Sequence, residues 1–133
     1  MVAPATSASP SAPAKSVLIV EDERVSRKAL ATLLSSCGFP TAAVASAEEA
    51  ICLIRNGRHP AVAVIDLDLP GMSGIDLIGM MTKLDPEIHP VLVTGADCDR
   101  LELVLKNRHI TCLRKPVDFH QLLTVLNEPQ SQN

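Results

Sequence analysis

Ala61-Val62-Ala63-Val64-Ile65-Asp66-Leu67-Asp68-Leu69-Pro70-Gly71-Met72-Ser73-Gly74 is the stretch that decides the fold. Its first five residues are wholly apolar, with no alternation, as expected of a strand covered on both faces in the middle of a parallel sheet. The run breaks on Asp66, and proline, glycine and serine then mark a tight loop. A helical pattern resumes near Ser73-Gly74, carries Ile75, Ile78 and Met81 inward and stops before Pro86. Strand, loop and helix together make one βα unit.

The same unit can be read on either side. Ser16 to Val20 is a second apolar run, followed by a helix with Leu30, Leu33, Leu34 and Cys37 on one face and Gly38 as its stop. A short strand at Thr41 to Val44 precedes a helix capped by Ser46, with Ala47, Ala50, Ile51 and Ile54 inward and Asn56-Gly57 at its end. Beyond the central unit come a strand at Val91 to Thr94 and a short helix around Asp99 to Asn107 carrying Leu101, Val104 and Leu105. The last pair is a strand at Thr111 to Arg114 and a helix after Pro116, capped by Asp118, that buries Phe119, Leu122, Leu123 and Leu126. Five units predict an α/β domain of (βα)5 type, doubly wound around a five-stranded parallel sheet with right-handed crossovers. Residues 1–15, rich in Ala, Pro and Ser, read as a disordered tail, 16–127 as the domain and 128–133 as a second tail.

Composition bounds the function. A chain of 133 residues, 47% hydrophobic and 20% charged, suits one globular core. Phe39 and Phe119 are its only aromatics and its net charge is −3, so neither base stacking nor a basic field recommends nucleic acid as a partner. No apolar run approaches the ~20 residues of a membrane span. Cys37, Cys52, Cys98 and Cys112 lack zinc spacing and are read as reduced, cytoplasmic, small buried hydrophobes. His59, His89, His109 and His120 are placed in turns or on helix surfaces, and Met72, Met80 and Met81 as core or surface filler. Glu23 and Asp118 are read as solvated acids or helix caps.

In open parallel sheets ligands sit outside the carboxyl ends of the strands. Here the first strand ends in Glu21-Asp22, the third in Asp66, the fourth in Thr94-Gly95 and the fifth in Lys115-Pro116. Carboxylates from Glu21, Asp22 and Asp66 in one cleft repel each other, and a hard divalent cation such as Mg²⁺ relieves that repulsion. Lys115 and Thr94 add an ammonium and a hydroxyl that can stabilise a phosphoryl group in transfer, and Asp66 is then placed to accept it.

The acidic pair, the D-L-D-L-P-G-M-S-G run from Asp66, the Thr-Gly and the Lys-Pro, in that order on consecutive strand ends, resemble the receiver domain of two-component response regulators. The resemblance covers about Lys15 to Asn127. It implies a flavodoxin-like strand order 2-1-3-4-5, with Asp66 as phosphoacceptor, Asp22 as a direct Mg²⁺ ligand and Glu21 acting through a metal-bound water. It further implies that Asp68 offers its backbone carbonyl to the metal, that Thr94 and Lys115 contact the phosphoryl oxygens, and that Gly95 leaves room for Thr94. Pro116, whose preceding bond is often cis in that family, would position Lys115. One position departs: Cys112 stands where the family usually has Tyr or Phe, which puts aromatic switching in doubt.

The implied protein is a single-domain regulator phosphorylated by a sensor histidine kinase or phosphotransfer protein and slowly dephosphorylated by its own site. With no output domain after residue 128, it would signal by protein contact or onward phosphotransfer, through the helix at 99–107, the last strand and the last helix. The downstream target is not legible, and a homodimer is left open. Two alternatives remain. A haloacid-dehalogenase-type phosphatase shares the apolar strand followed by Asp-x-Asp, but its acidic pair comes late and Pro70 is out of place. A receiver-like module that is not phosphorylated would account for Cys112.

Overall fold

The computed structural model describes residues 15–95 and 110–128. Five strands form, β1 Val17–Val20, β2 Thr41–Val44, β3 Val62–Asp66, β4 His89–Thr94 and β5 Thr111–Arg114. They pair in parallel in the order β2-β1-β3-β4-β5. The described helices are α1 Arg24–Ser36, α2 Ala47–Arg55, α3 Gly74–Leu84 and α4 Phe119–Asn127. The helix expected at 99–107 and Cys98 lie outside the described residues. The five-stranded doubly wound sheet is therefore as the sequence predicts.

Alternate residues of each strand feed two cores, which is why the strands read as unbroken apolar runs. Leu18, Val20, Ala63, Ile65 and Leu92 pack with Ile51, Leu77 and Met81 beneath α2 and α3. Val17, Ile19, Val62, Val64 and Val93 pack with Leu34, Leu122 and Leu126 beneath α1 and α4. Leu77 is fully buried, so truncating it to Ala should cost ~2–5 kcal/mol through lost transfer energy and a cavity. Ser46 and Asp118 accept from the first-turn amides of α2 and α4 as the sequence predicts, and Glu23 does the same for α1 through Ser26. Gly38 and Gly57 end α1 and α2 at φ 93° and 98°, where a Cβ would be strained.

Several expectations need correction. Leu33 is 44% exposed and Cys37 is exposed, because α1 ends at Cys37 and its buried stripe is centred on Leu34, with Leu30 and Ala31 beside it. Cys52 is exposed too, and Cys112 is half-buried. His89 is not in a turn. It opens β4, two residues earlier than predicted, and its Nε2 lies 3.1 Å from Thr111 Oγ1. Pro90 is tolerated inside this strand because His89 N–H faces β3, bonding Ala61 O at 2.9 Å. The missing Pro90 donor therefore faces the β5 side, where pairing begins only at Val91 opposite Thr111.

The ends of the domain are joined. Lys15, assigned by sequence to the leading tail, donates from Nζ to Leu126 O at 2.7 Å and Glu128 O at 2.6 Å. Its ammonium thus satisfies carbonyls at the end of α4 that no helical amide can reach. No described helix is long and apolar enough to cross a membrane.

Candidate functional site

The carboxyl ends of β1, β3, β4 and β5 bring the predicted polar residues to one edge. Carboxylate oxygens of Glu21, Asp22 and Asp66 all lie within 4.8 Å of one another. Glu21 and Asp66 are each only 5% exposed, and Thr94 is fully buried. Asp22 is exposed. From β5, Lys115 Nζ donates to Asp66 Oδ2 at 3.1 Å and stands 3.7 Å from Glu21 Oε1. The same lysine is tied to β4 through its backbone, Lys115 N–H donating to Thr94 O at 2.8 Å. The Lys115–Pro116 peptide bond is cis.

Backbone donors hold the acids in place. Asp68 N–H donates to Asp66 Oδ1 at 3.1 Å, and Glu23 N–H to Glu21 Oε2 at 3.0 Å. Arg27, which the sequence reading did not single out, donates from Nη1 to the carbonyls of Glu21 at 2.9 Å and Asp22 at 3.3 Å. It pins the loop after β1 from the first turns of α1. No sequence pattern announces this, since its partners are main-chain oxygens.

The loop after Asp66 explains two of its glycines. Gly71 has φ 82°, a left-handed conformation that L-residues with a Cβ rarely adopt. Gly74 starts α3 directly against the end of β3, donating to Leu67 O at 2.8 Å. A Cβ there would lie 2.5 Å from Asp66 O and 2.9 Å from both Leu67 Cα and Leu92 Cδ1. Only glycine lets the helix seat so close to the acidic residue.

Electrostatics at the edge are unbalanced. Among the described residues three carboxylates gather at the Lys115 ammonium, and the Arg27 guanidinium is engaged by the backbone carbonyls of Glu21 and Asp22. Burial pushes the Glu21 carboxyl above its ordinary value of 4.5, the Asp66 charge adds to this, and the Glu23 amide and the Lys115 ammonium oppose it. Desolvation pulls the Lys115 amine down, but its bond to Asp66 and the charges of Asp66 and Glu21 outweigh it and hold the amine above 10.5. A surplus of negative charge on oxygen-only donors, two of them withdrawn from water, fits a hard divalent cation of the Mg²⁺ kind. Beside Asp66 and Lys115 a cavity of about 540 Å³ opens, walled by Leu30, Leu33, Val93 and Val117.

A doubly wound parallel sheet with a buried acid, two further acids and a lysine at its carboxyl edge defines the class. The family model described as the response regulator receiver domain matches residues 17–127. The two-component response regulator PhoP of Pseudomonas aeruginosa is 50% identical over 80 residues, 60% of this chain and 35% of that protein. The crystal structure of a response regulator receiver protein from Pseudomonas putida superposes with a TM-score of 0.79 at 28% identity, covering 89% of this chain and 99% of that one. The response regulator TrrA from Thermotoga maritima, in complex with Mg(2+)-BeF, shares the fold with a TM-score of 0.73 at 24% identity, covering 84% of this chain and 96% of that one. This chain belongs to the response regulator receiver domain family. It spans about a third of the length of the PhoP regulator.

Proposed function

We propose that the domain is a phosphorylatable switch in which Asp66 takes a phosphoryl group from a sensor histidine kinase or phosphotransfer protein. The observation that carries this reading is Asp66 itself, a carboxylate 5% exposed yet bonded to Lys115 at 3.1 Å and grouped with two more acids. An Asp66 oxygen attacks phosphorus, and the bond from phosphorus to the donor's imidazole nitrogen breaks with its electron pair going to that nitrogen. Lys115, already against Oδ2, follows the negative charge onto the phosphoryl oxygens, and the Thr94 hydroxyl at the end of β4 is assigned the next contact. Glu21, Asp22 and Asp66, with the Asp68 carbonyl, would hold Mg²⁺, which neutralises charge on the phosphoryl oxygens when bound. Water later attacks the same phosphorus and regenerates the Asp66 carboxylate.

The signal is read by partner proteins or by onward phosphotransfer. Cys112 packs against the core beneath α2 and α3 and brings no aromatic ring to turn, so we assign the readout to main-chain movement at the Thr94-Gly95 end of β4, with Gly95 giving the room. The test is incubation with acetyl phosphate and Mg²⁺ followed by intact-mass measurement. One added phosphoryl group is expected on the natural protein and none on Asp66→Ala. An unmodified natural protein would leave the interaction-module reading, and Mg²⁺ binding measured in parallel would then show whether the acidic site works at all.

A further inference from the structure

The three acids at the edge are not held alike. Asp66 takes the Asp68 amide and the Lys115 ammonium. Glu21, buried, takes the Glu23 amide at 3.0 Å. Asp22 is exposed, and among the described residues no hydrogen bond reaches its carboxylate, so its position is set through the main chain. That main chain is held by one residue in the first turn of α1. Arg27 Nη1 donates to Glu21 O at 2.9 Å and to Asp22 O at 3.3 Å, and Arg27 N–H donates to Glu23 O at 3.0 Å. Three consecutive carbonyls thus end on a single residue. The Asp22–Glu23 peptide is clamped at both ends, its carbonyl by Arg27 and its amide by Glu21 Oε2. Arg27 is half-buried, while Arg24 and Lys28 beside it are exposed.

We propose that Arg27 is a positioning residue for divalent-cation binding: by fixing the main chain from Glu21 to Glu23, it presents the Asp22 carboxylate to the same cation as Glu21 and Asp66. The inference rests on the phosphorylation reading, in which that cation is Mg²⁺. A carboxylate on a free loop loses backbone freedom whenever it takes up an ion, whereas a clamped loop has lost it beforehand. The sign of the effect separates this role from plain electrostatics. Positive charge near a cation site disfavours the cation, so removing Arg27 tightens binding if its charge alone matters. Removing a positioning residue weakens it. Both side-chain bonds leave from one nitrogen, so a lysine ammonium, a single nitrogen with three donors, can take them over.

The experiment is calorimetric titration of the full chain with Mg²⁺, with the Mg²⁺ dependence of acetyl phosphate labelling recorded beside it. Arg27→Met should bind Mg²⁺ roughly 10- to 100-fold more weakly, the range for loss of an outer partner of a metal ligand. Its labelling should need correspondingly more Mg²⁺, while the rate at saturating Mg²⁺ recovers. Arg27→Lys should regain most of the affinity. Lys28→Met, which removes a charge from the same helix, should bind no more weakly than the natural protein. Urea midpoints taken in chelator verify that each variant folds without the ion. Should Arg27→Met not fold, Arg27→Gln, too short to reach the carbonyls, takes its place; failure of both to fold would make Arg27 a residue of the fold and overturn the proposal. Mg²⁺ binding by Arg27→Met as tight as that of the natural protein, or tighter, would overturn it while leaving the phosphorylation reading intact. An Arg27→Lys protein no tighter than Arg27→Met, or weakened binding by Lys28→Met, would overturn it equally. A natural protein that takes up no Mg²⁺ would bring down the phosphorylation reading itself, and the proposal with it.

Discussion

Replacing Gly74 with Ala adds one methyl group at the tightest point of the site. That Cβ would stand 2.5 Å from Asp66 O and 2.9 Å from Leu67 Cα, where ordinary contact begins at 3.4 Å. Leu92 Cδ1 can yield by a rotamer change, but the two backbone atoms cannot, so α3 must back away from β3 by a large fraction of an ångström. Overpacking of this kind costs ~1–3 kcal/mol, and the better helix propensity of Ala returns at most ~0.5–1 kcal/mol. A net loss of ~1–2 kcal/mol should lower the melting temperature by ~5–10 °C in a domain of this size. The displaced atom belongs to Asp66, so phosphorylation should slow as well, by up to the roughly 100-fold that a 1 Å misplacement costs. Urea unfolding and the rate of acetyl phosphate labelling measure the two effects. Gly95→Ala is the control, since a Cβ there meets nothing within 4 Å and stability should stay within ~0.5 kcal/mol. A Gly74→Ala protein as stable and as quickly labelled as the natural one would refute the reasoning.

Two further outcomes are expected at the opposite edge of the sheet. Lys15→Met removes the ammonium from Leu126 O and Glu128 O and should cost ~1 kcal/mol, the net worth of a solvent-screened charged hydrogen bond. Amide exchange in the last turn of α4 should quicken, and unchanged protection there would contradict the assignment. His89 is held below its ordinary 6.5 by burial and by the Lys15 charge, against Glu128. The unfolded chain therefore takes up the proton first, and the contribution of His89 to stability is complete above 6.5 and is lost as pH falls below that value through the lower pKa of the folded state. His89→Gln should flatten this acid slope in urea midpoints recorded against pH; parallel curves for the two proteins would rule the effect out.

Much of this architecture is legible because a parallel sheet covered on both faces writes its strands as unbroken apolar runs, as at Ala61 to Ile65. The strand-end rule then places Glu21, Asp66, Thr94 and Lys115 on one edge before any contact is known. Position within that edge is less legible. Glu21 is buried and Asp22 exposed, and nothing in two adjacent acids distinguishes them. Cysteine is apolar enough to be expected inside, yet Cys37 caps a helix and Cys52 walls a groove, outcomes set by register rather than by residue type. His89 is not legible as a strand residue, since a proline follows it, and only the neighbouring register shows the missing Pro90 amide to be harmless. Lys15 and Arg27 find main-chain carbonyls, which every sequence offers everywhere.

The ammonium of Lys15 also fixes where the body can be opened. It reaches from two residues before β1 to the end of α4, so the entrance and exit of the described body lie within one side chain of each other. Asp66 stands about a strand's length away, roughly 16 Å for five residues. Such a body can be spliced into a surface loop of a host protein, or cut at a turn and rejoined end to end, without stretching either partner. A reporter built that way would carry its seam at one pole and its chemistry at the other.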